Sequence, residues 1–155
     1  MNKLQKIIKW LNKIPSNLWG MEEYQEIREK DVTTIEKKLF YVLPKDFKFF
    51  LLNYNWIIIP WDYIYCIKIR DGEFIFDLYK NSIDEYNSLN PMPKYLVPFS
   101  PNGRGDHYCF NKKDDKIYFW QHDAPECDWN PDYECDTFTE WLETSIKEAL
   151  EVLLD

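Results

Sequence analysis

Tyr95-Leu-Val-Pro-Phe-Ser-Pro-Asn-Gly-Arg-Gly-Asp-His-Tyr-Cys-Phe-Asn111, followed beyond Lys112–Lys116 by Ile117-Tyr-Phe-Trp-Gln121, is the stretch that decides the fold. Tyr95–Phe99, Asp106–Asn111 and Ile117–Gln121 are rich in aromatic and β-branched residues and are bounded by Pro, Gly, Asn and Asp, which predicts strands. Ser100-Pro-Asn-Gly103 closes the first strand, and Lys112–Lys116 turns the second into the third. Asp114-Asp115 lies between lysines in that turn, where Asp suits turn chemistry, so it reads as solvated rather than as an acid/base pair. Upstream, Tyr63–Arg70 and Glu73–Tyr79 flank Asp71-Gly72, a strong hairpin signal. Alternation along those two segments points Tyr63, Tyr65, Ile67, Ile69, Phe74, Phe76 and Leu78 toward a core.

Helical patterns surround this meander. Leu4, Ile7, Ile8, Leu11 and Ile14 have helical spacing among lysines, and the segment should end before Pro15. That spacing is not the continuous apolar run of a signal peptide. Pro15–Gly20 reads as a connector, and Glu22–Lys30 as a short helix or a loop. Thr33 with Glu36 has the form of a capping box opening a helix over Thr34–Phe40. Leu43-Pro44 opens the next, whose apolar face is Phe47, Phe50, Leu51 and Tyr54. Ile83–Leu89 reads as a short helical turn. Thr137 and Glu140 form a second capping box before the stripe Phe138, Trp141, Leu142, Ile146, Ala149, Leu150 and Leu153. Helices, then strands, then a helix predict an α+β single domain over residues 1–155. Residues 1–20 supply an amphipathic helix and connector, and the core domain runs from about 30 to 155, with an antiparallel or mixed sheet of about five to six strands.

Charge narrows the function classes. The chain has 155 residues, 19 Lys and Arg against 27 Asp and Glu, and a formal charge of −8. Between Ile117 and Ile146 lie Asp123, Glu126, Asp128, Asp132, Glu134, Asp136, Glu140 and Glu143, with no Lys or Arg. Those eight acids account for the whole excess, since 27 − 8 leaves 19 acids against 19 bases. Direct nucleic-acid binding is disfavoured, because phosphate neutralisation needs clustered bases. An anionic membrane surface is disfavoured for the same reason. Four cysteines without a Cys-x-x-Cys pair fit free thiols and a cytoplasmic location.

Catalytic motifs are absent: no phosphate loop, no His-Glu-x-x-His and no Gly-x-Ser-x-Gly. Gly103-Arg-Gly105 lies between strands and reads as a turn. Cys109 beside His107 or His122 lacks the strained turn that marks a nucleophile. His107, Cys109, His122, Cys127 and Cys135 are potential zinc ligands whose spacing fits no common module. No catalytic residue and no cofactor are assigned. The acidic window is the candidate site. Trp120, Trp129 and Tyr133 would anchor a partner, and Asp123, Glu126, Asp128, Asp132, Glu134 and Asp136 would form a charged rim that steers a basic surface. The alternative is that these aromatics pack inward and the carboxylates keep an acidic chain soluble.

Four motifs, in order, carry a resemblance. Thr33-Thr-Ile-Glu-Lys-Lys-Leu…Leu43-Pro-Lys-Asp-Phe-Lys-Phe-Phe-Leu51 resembles the opening of SUKH-superfamily domains of the Smi/Knr type. Val97-Pro-Phe-Ser-Pro-Asn-Gly-Arg-Gly-Asp-His-Tyr-Cys-Phe110 is similar to their central strand pair, Ile117-Tyr-Phe-Trp-Gln-His-Asp123 to the next strand, and Asp136-Thr-Phe-Thr-Glu-Trp-Leu142 to the closing helix. Asn111 replaces a common Asp, Asn53-Tyr-Asn-Trp56 replaces a Gly-Gly pair, and the first helix lies outside the pattern. The resemblance implies a non-catalytic, cytoplasmic immunity protein that binds a cognate toxin domain, often a basic nuclease. A monomer or weak homodimer is expected, the first helix offering a dimer contact. The alternatives are a regulatory or scaffold module of the same fold, and a small-ligand or glycan binder or metal-dependent enzyme.

Overall fold

Alternating apolar residues in the central stretch form a sheet with two covered faces, and the helices are distributed by the faces they cover. The computed structural model describes residues 2–13, 26–55, 57–59, 62–64, 74–84, 91–124 and 130–154. The Pro15–Gly20 connector, the strand over 65–70, Asp71-Gly72 and most of the 83–89 turn lie outside them. Strands β3 (Leu96–Pro101), β4 (His107–Asn111), β5 (Ile117–Trp120) and β6 (Asp132–Cys135) form an antiparallel sheet in the order β3-β4-β5-β6. An antiparallel ribbon of β1 (Ile57–Ile59) and β2 (Asp62–Ile64) adjoins it, with β2 against β3. The architecture is α+β as expected. Among the described residues the main sheet has four strands, against the five to six expected.

One sheet face carries the main core. Val97, Phe99, Phe110 and Ile117 meet Phe47, Phe50 and Leu51 of α3 (Lys45–Asn53) and Phe138, Leu142 and Ile146 of α5 (Phe138–Leu154). Phe47 sits at the centre, its ring 5.8 Å from Phe99, 5.0 Å from Phe110 and 4.9 Å from Phe138. Helix α2 (Glu29–Leu39) adds Val32, Ile35 and Leu39. Helix α1 (Lys3–Ile8), continued by a 3-10 turn to Lys13, adds Leu4, Ile7 and Ile8 and is tied to α5 by Lys3–Glu143 at 2.8 Å. The opposite sheet face holds a smaller cluster of Met92, Leu96, Cys109 and Trp120.

Three local expectations are corrected. The strand expected over Glu73–Tyr79 is helix in its described part: Phe74–Asp84 is helix α4. Ile75 and Ser82 are buried and Tyr79 and Ile83 half-buried, a spacing with helical rather than twofold period. Thr33 is not an N-cap, because α2 starts at Glu29 and Asp31 accepts the Arg28 N–H at 3.0 Å. Thr33 instead donates to the Glu29 carbonyl at 2.9 Å, and Glu36 accepts the Leu43 N–H at 2.9 Å. The acidic loop expected from His122 to Cys135 ends in strand β6.

The Thr137 cap is present, its hydroxyl accepting the Glu140 N–H at 3.2 Å. A carboxylate from far away in sequence also secures this helix start. Asp46 Oδ2 accepts both the N–H and the hydroxyl of Thr139, at 2.8 and 2.9 Å. The Leu-Pro-Lys-Asp motif is thus a tie between α3 and α5, and it supplies charge where the helix dipole favours an anion.

Candidate interaction surface

Strand β6 is the edge of the sheet and displays Asp132, Tyr133 and Glu134 to solvent. Tyr133 is 54% exposed. Its ring stands edge-on to Tyr118 at 5.8 Å, and its hydroxyl donates to Asp136 Oδ1 at 3.0 Å. Lys116 lies 2.7 Å from the same oxygen and 5.5 Å from the Tyr133 ring. Hydrogen bonds from Lys116 and Tyr133 hold the Asp136 carboxyl below the usual carboxylate value. Part of the acidic window is therefore neutralised internally: Asp136 by Lys116, and Glu143 by Lys3 and Lys147. Asp132 and Glu134 make no ion pair among the described residues.

The remaining expected site residues separate. Trp120 is 1% exposed and packs with Met92, Leu96 and Cys109, its ring 5.6 Å from His107. On β5 it shares the face of Tyr118, which lies under the smaller cluster, so Trp120 is core rather than an anchor. Glu126, Cys127, Asp128 and Trp129 lie outside the described residues.

Asp123 is exposed and joins a group that the sequence did not signal. Asp106 accepts the Asn102 amide at 2.7 Å, the His122 backbone N–H at 3.1 Å and His122 Nδ1 at 2.9 Å. Burial opposes the Asp106 charge, but these hydrogen bonds outweigh it and hold the carboxyl below its ordinary value. Gly105, at φ +102°, lies under the His122 ring, and a Cβ there would come within 2.9 Å of Nδ1. The Gly-Asp and Trp-Gln-His motifs thus meet in one latch between two turns.

Asp106, His122 and Asp123 place one ligand-type atom each within 4.8 Å of one another, a donor set suited to a divalent cation. His122 Nδ1 and Asp106 Oδ1 are already engaged with each other. Among the described residues, the members of the zinc alternative drawn from spacing do not come together. His107 and Cys109 share the buried second face, whereas Cys135 packs against the main core. Burial pushes the Cys109 thiol up and raises Cys135 to about 11, so neither is a ready thiolate. Burial also lowers His107 to about 4, and its Nδ1 has no hydrogen-bond partner.

A second exposed patch lies at the C-terminal end of α2. Phe40 caps that helix in the left-handed region, at φ 50°, and is 91% exposed, with Val42 at 70%. A left-handed aromatic facing solvent breaks two local rules that a sequence reading relies on.

No helix among the described residues is long and apolar enough to cross a membrane. The family model SUKH_6, described as SMI1-KNR4 cell-wall, matches residues 29–142, a span from the start of α2 into α5 that takes in all four motifs. No curated protein matches the chain significantly. The chain belongs to the SMI1-KNR4 family of the SUKH superfamily.

Proposed function

We propose that the protein is a non-catalytic binding protein that neutralises a basic toxin domain, for instance a nuclease, through the acidic face around β6. Domains of this family are generally protein-interaction modules. The observation that carries the reading is Tyr133, exposed on an edge strand between Asp132 and Glu134, which make no ion pair among the described residues. An exposed aromatic flanked in sequence by two acidic residues suits a basic surface: charge speeds encounter, and the ring slows dissociation. The raised thiols and the depressed His107 support a role without nucleophilic chemistry.

The test pairs the protein with the toxin domain encoded beside its gene. Wild type should protect cells and form a complex, and Tyr133→Ala with Asp132→Lys should fold normally but lose protection. Full protection by that variant would move the interface elsewhere. A scaffold role is favoured by one observation: Phe40 and Val42 form a second apolar patch beside the exposed Lys37, Lys38 and Lys45. That charge fits an acidic partner, and a complex with two proteins at once would support this reading.

A further inference from the structure

A cleft runs between β6 and α5. It is lined chiefly by Tyr108, Glu134, Cys135, Trp141, Ser145 and Glu148. Trp141, Ser145 and Glu148 recur at i, i+4 and i+7, so one stripe of α5 forms a wall. Glu134 and Cys135 come from β6 opposite, and the Tyr108 ring lies 5.2 Å from Trp141. The free space is about 90 Å³. That is several times the ~10–15 Å³ one water needs and well below the ~300–1,000 Å³ of small-molecule sites. It suits the head group of a single side chain.

Its chemistry calls for a cation. Glu134 and Glu148 make no ion pair among the described residues, although neighbouring Asp136 and Glu143 each hold a lysine. Burial, with the charges of Asp132 and Glu148, pushes the Glu134 carboxyl above its ordinary value. Ser145 is 8% exposed, lines the cleft, and its hydroxyl makes no hydrogen bond among the described residues. Among the described residues the cleft therefore combines two carboxylates without an ion pair, the hydroxyl of a buried serine that makes no hydrogen bond, and aromatic surface.

We propose that this cleft receives an arginine side chain of the partner protein, its guanidinium set between Glu134 and Glu148 against Tyr108 and donating to Ser145 Oγ. Arginine fits better than lysine because its planar fork donates to carboxylates and a hydroxyl at once, stacks on rings and is more weakly hydrated. The proposal rests on the reading of this face as the toxin contact and names the residue type that the contact must bring.

The test titrates N-acetyl-arginine amide into the ¹⁵N-labelled full chain, with the capped lysine and citrulline amides in parallel. The expected result is saturable amide shifts confined to Glu134, Cys135, Trp141, Ser145 and Glu148. Binding should be millimolar for arginine, weaker for lysine and absent for citrulline. Glu134→Gln with Glu148→Gln should keep the rest of the spectrum and weaken binding about tenfold. Equal shifts with citrulline, full-strength binding by the double variant, or tighter occupation by calcium would overturn the proposal. A toxin complex indifferent to the double variant would overturn it while leaving the proposed function intact. Arginine held in the cleft of a protein that binds no basic toxin domain would uphold it and defeat that function.

Discussion

His107 should make the fold acid-sensitive above the pH range of its carboxylates. Its ring is 7% exposed and stacked on Trp120. Burial is the main cause of its depressed pKa, the charge of His122 adds to it, and Asp106 opposes it. The folded value is about 4 against an ordinary 6.5. Between those values the unfolded chain binds the proton and the folded chain does not. The stability contributed by a neutral His107 is therefore complete above about pH 6.5, falls as the pH drops, and is fully lost near pH 4. The whole window is worth about 3 kcal/mol, with about 1 kcal/mol lost by pH 5.5 and about 2–3 kcal/mol by pH 4.5. His107→Phe keeps an aromatic ring against Trp120 and removes the titration. Urea unfolding followed by tryptophan fluorescence at pH 7.0, 5.5 and 4.5 should show the wild type losing stability faster than the variant by those amounts. Carboxylates titrate in both proteins and cancel in the difference. Parallel pH profiles would refute the assignment of a buried, neutral His107.

Other substitutions test the ties that shape the domain. Asp46→Asn removes the carboxylate that secures the start of α5, so urea unfolding should show a loss of about 1–2 kcal/mol. Gly105→Ala combines a positive φ with a Cβ driven into His122, and should cost more than about 1 kcal/mol while shifting the His122 ring signals in NMR spectra. Trp120→Ala should cost about 3–5 kcal/mol in unfolding free energy, as expected for a buried core ring, whereas Tyr133→Ala should change stability by less than about 0.5 kcal/mol. Ile7→Ala should cost about 2–4 kcal/mol in chemical denaturation, because the first helix is part of the main core.

The meander from Leu96 to Trp120 was legible because its turns carry their own chemistry, Pro-Asn-Gly at one end and Asp-Asp at the other. Helices α3 and α5 were legible for a similar reason, a clear apolar stripe behind a proline or a Thr cap. The segment from Phe74 was not. Apolar residues crowd Phe74–Tyr79 so densely that a period of two and a period of 3.6 both fit, and its packing against α2 and β3 decides for helix. Strand β6 was hidden because Asp132-Tyr-Glu-Cys135 has weak strand propensity, and its pairing with β5 decides. Trp120 looked like an anchor by proximity to the acidic window, yet both sheet faces are covered, and Met92, Leu96 and Cys109 bury it on the second. The family motifs pointed to the fold more than to a site: Asp46, Gly105 and Asp106 hold elements together. The exposed chemistry of Asp132, Tyr133 and Glu134 lies between the matched motifs, where only charge pattern could signal it.

The most direct test of the account is the affinity of this protein for the toxin domain encoded beside it, measured against salt. The account predicts an association rate that falls steeply between low and physiological ionic strength. It also predicts a loss of about 2 kcal/mol or more on Tyr133→Ala, and a flattened salt dependence in Asp132→Lys. A tight complex indifferent to salt and to both substitutions would contradict it.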